Sequence, residues 1–135
     1  MIDLKTEIDE AVITERIDGI VHIHIKSDIE INVELQKKIL DLYKKICGNE
    51  KKAFLFTASK QVTITKEARE NFILLEAVYP CIAIAVVANS TAYKLSANFY
   101  QLVNKPKSLF EIFNDKESAL DWLKTTMKVS TKRKR

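Results

Sequence analysis

The chain has 135 residues, 47% of them hydrophobic and 30% charged, with only 2 Gly and 2 Pro. This profile describes one regular globular domain and excludes collagen-like, low-complexity and disulfide-scaffold chains. The formal net charge is +4, but Lys128, Lys132, Arg133, Lys134 and Arg135 supply it near the end, leaving the body before them close to neutral; a nucleic-acid-binding fold would carry positive charge on the domain itself, so no specific nucleic-acid partner is expected.

Residues 1–9 contain Ile2, Leu4 and Ile8 among polar neighbours, and read equally as an extra edge strand or a frayed arm. Ala11 to Ile17 alternates, with Ala11, Ile13 and Ile17 on one side and Thr14 and Arg16 on the other. Ile20 to Lys26 alternates as well, with Val21, Ile23 and Ile25 opposite His22 and His24. Asp18-Gly19 lies between the two runs. Asp-Gly in that place predicts a hairpin with a type I′ turn, which needs positive φ at both residues.

Asn32 is a predicted N-cap. Leu35, Ile39, Leu42, Tyr43 and Ile46 then mark one face of a helix that stops at Gly48. Ala53 to Thr57 is a short apolar strand. Thr65 caps the next helix, whose stripe is Ala68, Phe72, Leu75 and Tyr79, and Pro80 ends it. Cys81 to Ala88 is an apolar, β-branched run without the alternation of a half-exposed strand. It predicts a strand buried on both faces. After Asn89-Ser90-Thr91, Ala92, Leu95, Phe99 and Leu102 repeat at helical spacing. Lys105-Pro106 breaks the chain. Leu109 to Phe113 is the last strand, and Asn114 with Glu117 reads as a capping box for a helix with Ala119, Leu120, Trp122, Leu123 and Met127 on its apolar side.

The predicted fold is α/β, a mixed five-stranded sheet in the order ββαβαβαβα. An N-terminal antiparallel hairpin comes first, then parallel strands with crossover helices. Residues 1–128 form one domain, and 129–135 a basic, disordered tail. That tail is a solubilising end or a transient attachment to anionic surfaces. Asp3, Glu7, Asp9, Glu10 and Glu15 argue against a secretory signal, and Cys81–Ala88 is too short to span a bilayer. No transmembrane segment and a cytoplasmic location are therefore expected, with Cys47 and Cys81 reduced and buried.

Three stretches carry a resemblance: Gly19-Ile20-Val21-His22-Ile23, Val62-Thr63-Ile64-Thr65-Lys66-Glu67-Ala68-Arg69, and Phe113 to Leu123. Together, over residues 10–127, the chain resembles a STAS domain, the fold of anti-sigma factor antagonists and of the cytoplasmic domains of sulphate transporters. It is most similar to the uncharacterised bacterial branch described as STAS/SEC14-like. In the antagonists the helix after the third strand begins Asp-Ser-Ser or Asp-Ser-Thr followed by Gly, and a kinase phosphorylates one hydroxyl. Here the position reads Ile64-Thr65-Lys66-Glu67, without the Asp and Gly. The resemblance therefore carries over Thr65 alone, as a candidate phosphoacceptor, beside its plainer role as an N-cap.

The residues themselves offer no nucleophile motif, no P-loop and no paired catalytic carboxylates. No enzyme activity and no cofactor are expected. His22 and His24, at i and i+2, share a strand face, but two histidines are too few for a structural zinc site, so no metal is expected. Open α/β sheets bind ligands beyond the carboxyl ends of their strands. Ser59, Lys60 and Thr63 after the third strand, with Asn89, Ser90 and Thr91 after the fourth, are the candidate ligand- or anion-binding loops; helix capping and solvation account for the same residues. Two functions follow: a non-catalytic regulatory module that binds an unknown protein partner and pairs as a homodimer, or a binder of a lipid or anionic metabolite at those loops.

Overall fold

In the computed structural model the described residues are 3–48, 51–78, 81–88 and 109–133. Eight strands and three helices are described: β1 (Leu4–Glu7), β2 (Ala11–Glu15), β3 (Ile20–Ile25), β4 (Glu30–Ile31), α1 (Val33–Cys47), β5 (Ala53–Ala58), β6 (Thr63–Ile64), α2 (Lys66–Val78), β7 (Ala83–Val87), β8 (Leu109–Phe113) and α3 (Lys116–Arg133). The main sheet has six strands, in the order β1-β2-β3-β5-β7-β8. β1, β2 and β3 are antiparallel, and β3, β5, β7 and β8 are parallel. The α/β architecture with its leading hairpin is thus the predicted one. The helix predicted from Ala92, and the loop Asn89-Ser90-Thr91 before it, lie outside the described residues.

The sixth strand is β1, so the first residues form an edge strand. A tight reversal joins it to β2, with the Ile8 N–H donating to the Ala11 carbonyl at 2.9 Å. The Asp3 carboxylate accepts the Ile17 N–H at 2.9 Å, and Lys26 pairs with Glu7.

The hairpin between β2 and β3 forms where Asp-Gly predicts it, with a different turn. Only Gly19 has positive φ, at 87°. Its N–H donates to the Arg16 carbonyl at 3.0 Å, and the Arg16 N–H donates to the Ile20 carbonyl at 3.0 Å. Ile17 is drawn into the loop, which leaves one left-handed position for glycine to take. Ile17 is consequently exposed, at 63%, and does not share the buried side with Ala11 and Ile13.

Two layers of helix sandwich the sheet. On one side Ile13, Val21, Ile23, Ile25, Val86 and Ala88 pack beneath α1 and α2 through Leu35, Tyr43 and Ala68. Gln36 is buried at this helix pair. Its amide donates to the Ala68 carbonyl at 2.7 Å and accepts from Asn71 at 2.9 Å, tying α1 to α2. On the other side Ile20, Ala53, Leu55, Ala83 and Ala85 meet Ala119 and Leu123 of α3. The alanines of β5 and β7 leave room for that helix to lie close. β7 is buried along its whole length, as a strand covered on both faces must be.

The caps of α1 and α2 are the predicted ones. The Leu35 N–H donates to Asn32 Oδ1 at 2.9 Å, and the Ala68 N–H to Thr65 Oγ1 at 3.0 Å. Gly48 closes α1 at φ 63°. For α3 the cap is Asp115, one residue later than the Asn114–Glu117 box predicts. Its carboxylate accepts the Ser118 N–H at 2.7 Å and the Ser118 hydroxyl at 3.0 Å. A carboxylate is the stronger acceptor at a helix start, which favours Asp115 over its amide neighbour. The same helix runs on to Arg133, through residues 129–133 where the sequence reading places a disordered tail.

A second, two-stranded sheet has no counterpart in the sequence reading. The loops leaving β3 and β5 run side by side and pair again as β4 and β6. Ser59 N–H donates to Ile25, Asp28 N–H to Lys60, Thr63 N–H to Ile29 and Thr65 N–H to Ile31, at 2.8–3.1 Å. Asp28 and Gln61 both take positive φ, 63° and 62°. The register of β3 on β5 passes unchanged into β4 on β6.

Candidate functional site

Strand alternation decides what reaches the carboxyl ends of β3 and β5 on the α3 side. Ile20, His22 and His24 of β3 point to that face, as do Ala53, Leu55 and Thr57 of β5. His24 is the register partner of Thr57, and His22 of Leu55. The face is therefore apolar at the start of the strands and polar at their ends.

Four side chains there form a continuous chain of hydrogen bonds. His22 Nε2 is 2.7 Å from Thr57 Oγ1. His24 Nδ1 is 2.7 Å from the same oxygen, and His24 Nε2 is 2.8 Å from Ser59 Oγ. Thr57 is buried, while His22, His24 and Ser59 are half-buried. A hydroxyl has one proton, so Thr57 can donate to only one ring. With both rings neutral, the two rings can both donate to Thr57 while Ser59 donates to His24 Nε2, or the bonds can run one way along the whole chain, in either of two polarities. In one, Ser59 donates to His24 Nε2, His24 Nδ1–H donates to Thr57, and Thr57 donates to His22 Nε2. In the other, all three bonds reverse.

The surroundings favour the neutral rings. Burial, followed by the positive charge of Lys116 and by His24, Arg16 and Lys5, pushes the His22 pKa down to about 4. Burial and Lys116 lower that of His24 as well. Lys116 is the first residue of α3, so this helix places its charge beside both imidazoles.

Of the sequence candidates, Ser59 belongs to this network. Lys60 and Thr63 are exposed, their backbones spent on the β4–β6 pairing. Thr65 is half-buried, with its hydroxyl oxygen committed to the α2 cap. Asn89, Ser90 and Thr91 lie outside the described residues. The sequence reading puts His22 and His24 on one face and misses Thr57 as their bridge. The available signal was a lone hydroxyl in an otherwise apolar strand, at a place where a histidine-bearing strand could pair with it.

Among the described residues, no group of three or more His, Cys, Asp or Glu side chains comes together in a way that could hold a metal ion. Nor is any described helix long and apolar enough to cross a membrane.

The fold has a counterpart among solved structures. The chain is similar to an uncharacterised protein of the DUF3478 family with a SpoIIAA-like fold from Shewanella loihica PV-4. The TM-score is 0.55 and the identity 12%, over 90% of this chain and 91% of that one. The SpoIIAA-like fold is the STAS, or anti-anti-sigma, fold, so the resemblance stated from the sequence holds at the level of fold. No curated protein matches the chain. A family model described as a domain of unknown function matches residues 13–127, and the chain belongs to that family, DUF7793.

Proposed function

We propose that the chain is a non-catalytic, STAS-like regulatory module that works in the cytoplasm by binding another protein, with a homodimer as its resting state. The observation that carries this reading is the SpoIIAA-like fold. α2 stands where the antagonists carry their phosphoacceptor helix, lacking their Asp and Gly but keeping a hydroxyl in Thr65, and it exposes Leu74 at 65%. Affinity capture combined with light scattering tests the reading. A retained protein partner and a dimer mass are expected; a lone monomer that retains nothing sinks it. Phosphorylation of Thr65 would give such a module its switch. Incubation with ATP and lysate, followed by intact-mass measurement, should then add one phosphoryl group at Thr65.

A second reading is favoured by the half-buried chain of His22, Thr57, His24 and Ser59. It makes the strand-end loops, with Ser59, Lys60 and Thr63, a site for a small anionic metabolite or lipid headgroup. Native mass spectrometry of protein purified from its source separates the two readings, since this one requires a retained ligand mass.

A further inference from the structure

We propose that Ser59 is a base-activated hydroxyl that takes up one acyl group from a small activated ester. The geometry is that of a nucleophile, a base and a group that orients the base. Ser59 Oγ lies 2.8 Å from His24 Nε2, and His24 Nδ1 lies 2.7 Å from Thr57 Oγ1. The polarity that runs from Ser59 toward His22 leaves the lone pair of His24 Nε2 facing the Ser59 hydroxyl. It also puts the ring proton on Nδ1, held by Thr57. That is the tautomer a general base requires. His22 completes the arrangement by accepting the Thr57 proton at 2.7 Å. Thr57 and His22 are thus positioning residues, and Ser59 and His24 would touch the reacting atoms.

Other hydroxyls are engaged differently: Ser118 Oγ donates to the exposed Asp115 carboxylate in the α3 cap. Thr65 Oγ1 accepts the Ala68 N–H in the α2 cap. Thr125 and Thr126 donate to backbone carbonyls, which are poor bases. Thr57 meets two imidazoles but is buried, only 9% exposed, whereas Ser59 is half-exposed. His24 is neutral near pH 7, because burial and Lys116 hold its pKa down. A neutral acyl carbon suits the site: one base is enough for its attack, whereas phosphoryl transfer leans on metal ions and charge clamps.

In the step itself Ser59 Oγ attacks the ester carbonyl carbon while its proton passes to His24 Nε2. The tetrahedral intermediate collapses, the bond to the leaving oxygen breaks, and that oxygen departs with the proton from His24. The products are acyl-Ser59 and an alcohol or phenol; no other reactant is consumed. One acyl group per chain is a modification and not turnover, so this inference stands apart from the proposed binding function.

The test uses the full chain and p-nitrophenyl acetate near neutral pH. Nitrophenol release is followed, and the acetyl group is located by peptide mass. A burst with acetyl on Ser59 is expected. Ser59→Ala should abolish the burst and leave only slow background labelling of amines. His24→Gln should slow it by about 10²- to 10⁴-fold, the usual worth of a positioned base. Thr57→Val should slow it less and displace the pH midpoint of the reaction, which a merely structural role would leave in place. The groups facing His24 that bear on that midpoint are His22, Thr57, Ser59 and Lys116. Acetyl found only on amines, or wild-type release from Ser59→Ala, would overturn the proposal. Ser59→Ala removes only the terminal hydroxyl of the network, so it decides the matter even if His24→Gln is poorly folded.

Discussion

The two faces of the sheet solve the same packing problem with different chemistry. Beneath α1 and α2, β3 presents Val21, Ile23 and Ile25, apolar from end to end. Beneath α3 the same strand presents Ile20, then His22 and His24, and its neighbour presents Ala53, Leu55 and then Thr57. On the first face the strand side contributes only burial, which is non-directional and tolerant of small shifts, with the Gln36 bonds confined to the helices above it. The second depends at its far end on three hydrogen bonds, two of which share the Thr57 hydroxyl. A buried polar cluster is stable only when every member is satisfied. Both faces bury a core, and the second adds a place where one atom matters.

Truncating the core should show the largest effect on either face. Leu55 and Ile23 are both essentially buried, and Leu55→Ala or Ile23→Ala should cost about 2–5 kcal/mol in denaturant melts. A cost below that range at Leu55 alone would mean the α3 face is the more loosely packed of the two.

Thr57→Val comes next. It keeps the volume and removes the shared hydroxyl, leaving two ring nitrogens short of a partner. A loss of about 1–3 kcal/mol is expected. A neutral result would make the polar end dispensable and erase the contrast between the faces.

Acid should separate the faces more gently. An unfolded His22 titrates at its ordinary value of 6.5, while in the fold it titrates at about 4. Between those values the unfolded chain binds the extra proton, so stability rises with pH across that window. The full contribution is present above 6.5 and is lost as the pH falls toward about 4; solvent reaching the half-buried ring moderates it. Urea melts at several pH values should show this slope, and His22→Gln should flatten it. A variant as acid-sensitive as the wild type would place the cause elsewhere.

The smallest change lies on the apolar side, in the cap of α2. Thr65→Ala removes the acceptor for Ala68 N–H and should cost about 1 kcal/mol. If the loss matched that of Thr57→Val, polar satisfaction would weigh equally on both faces.

Local signals carried most of the architecture into the sequence. β8 runs from Leu109 to Phe113, where the apolar run predicts it, and Asn32, Thr65 and Gly48 mark helix ends by their own chemistry. The misses share one cause. β4 and β6 are two residues each, too short for any periodicity, and exist only because two loops lie side by side. β1 is not legible in its own pattern because its pairing depends on β2. Asp18-Gly19 marks the place of the turn but not its type, which depends on whether Ile17 stays in the strand. The site shows the same limit. That His22 and His24 share a face follows from alternation, but that Thr57 bridges them follows from β3–β5 register, which no local stretch of chain encodes.

The unbroken register from β3–β5 into β4–β6 indexes two helices to one another. β4 leads into Asn32 and β6 into Thr65, so the left-handed bends at Asp28 and Gln61 act as matched hinges that release α1 and α2 in phase. One residue inserted into either loop would retard its helix by a rung, about 3.3 Å, and pull the Gln36 amide out of reach of α2. An insertion in both loops would keep the helices synchronised. Length changes in this part of the molecule should therefore be tolerated as pairs and punished singly.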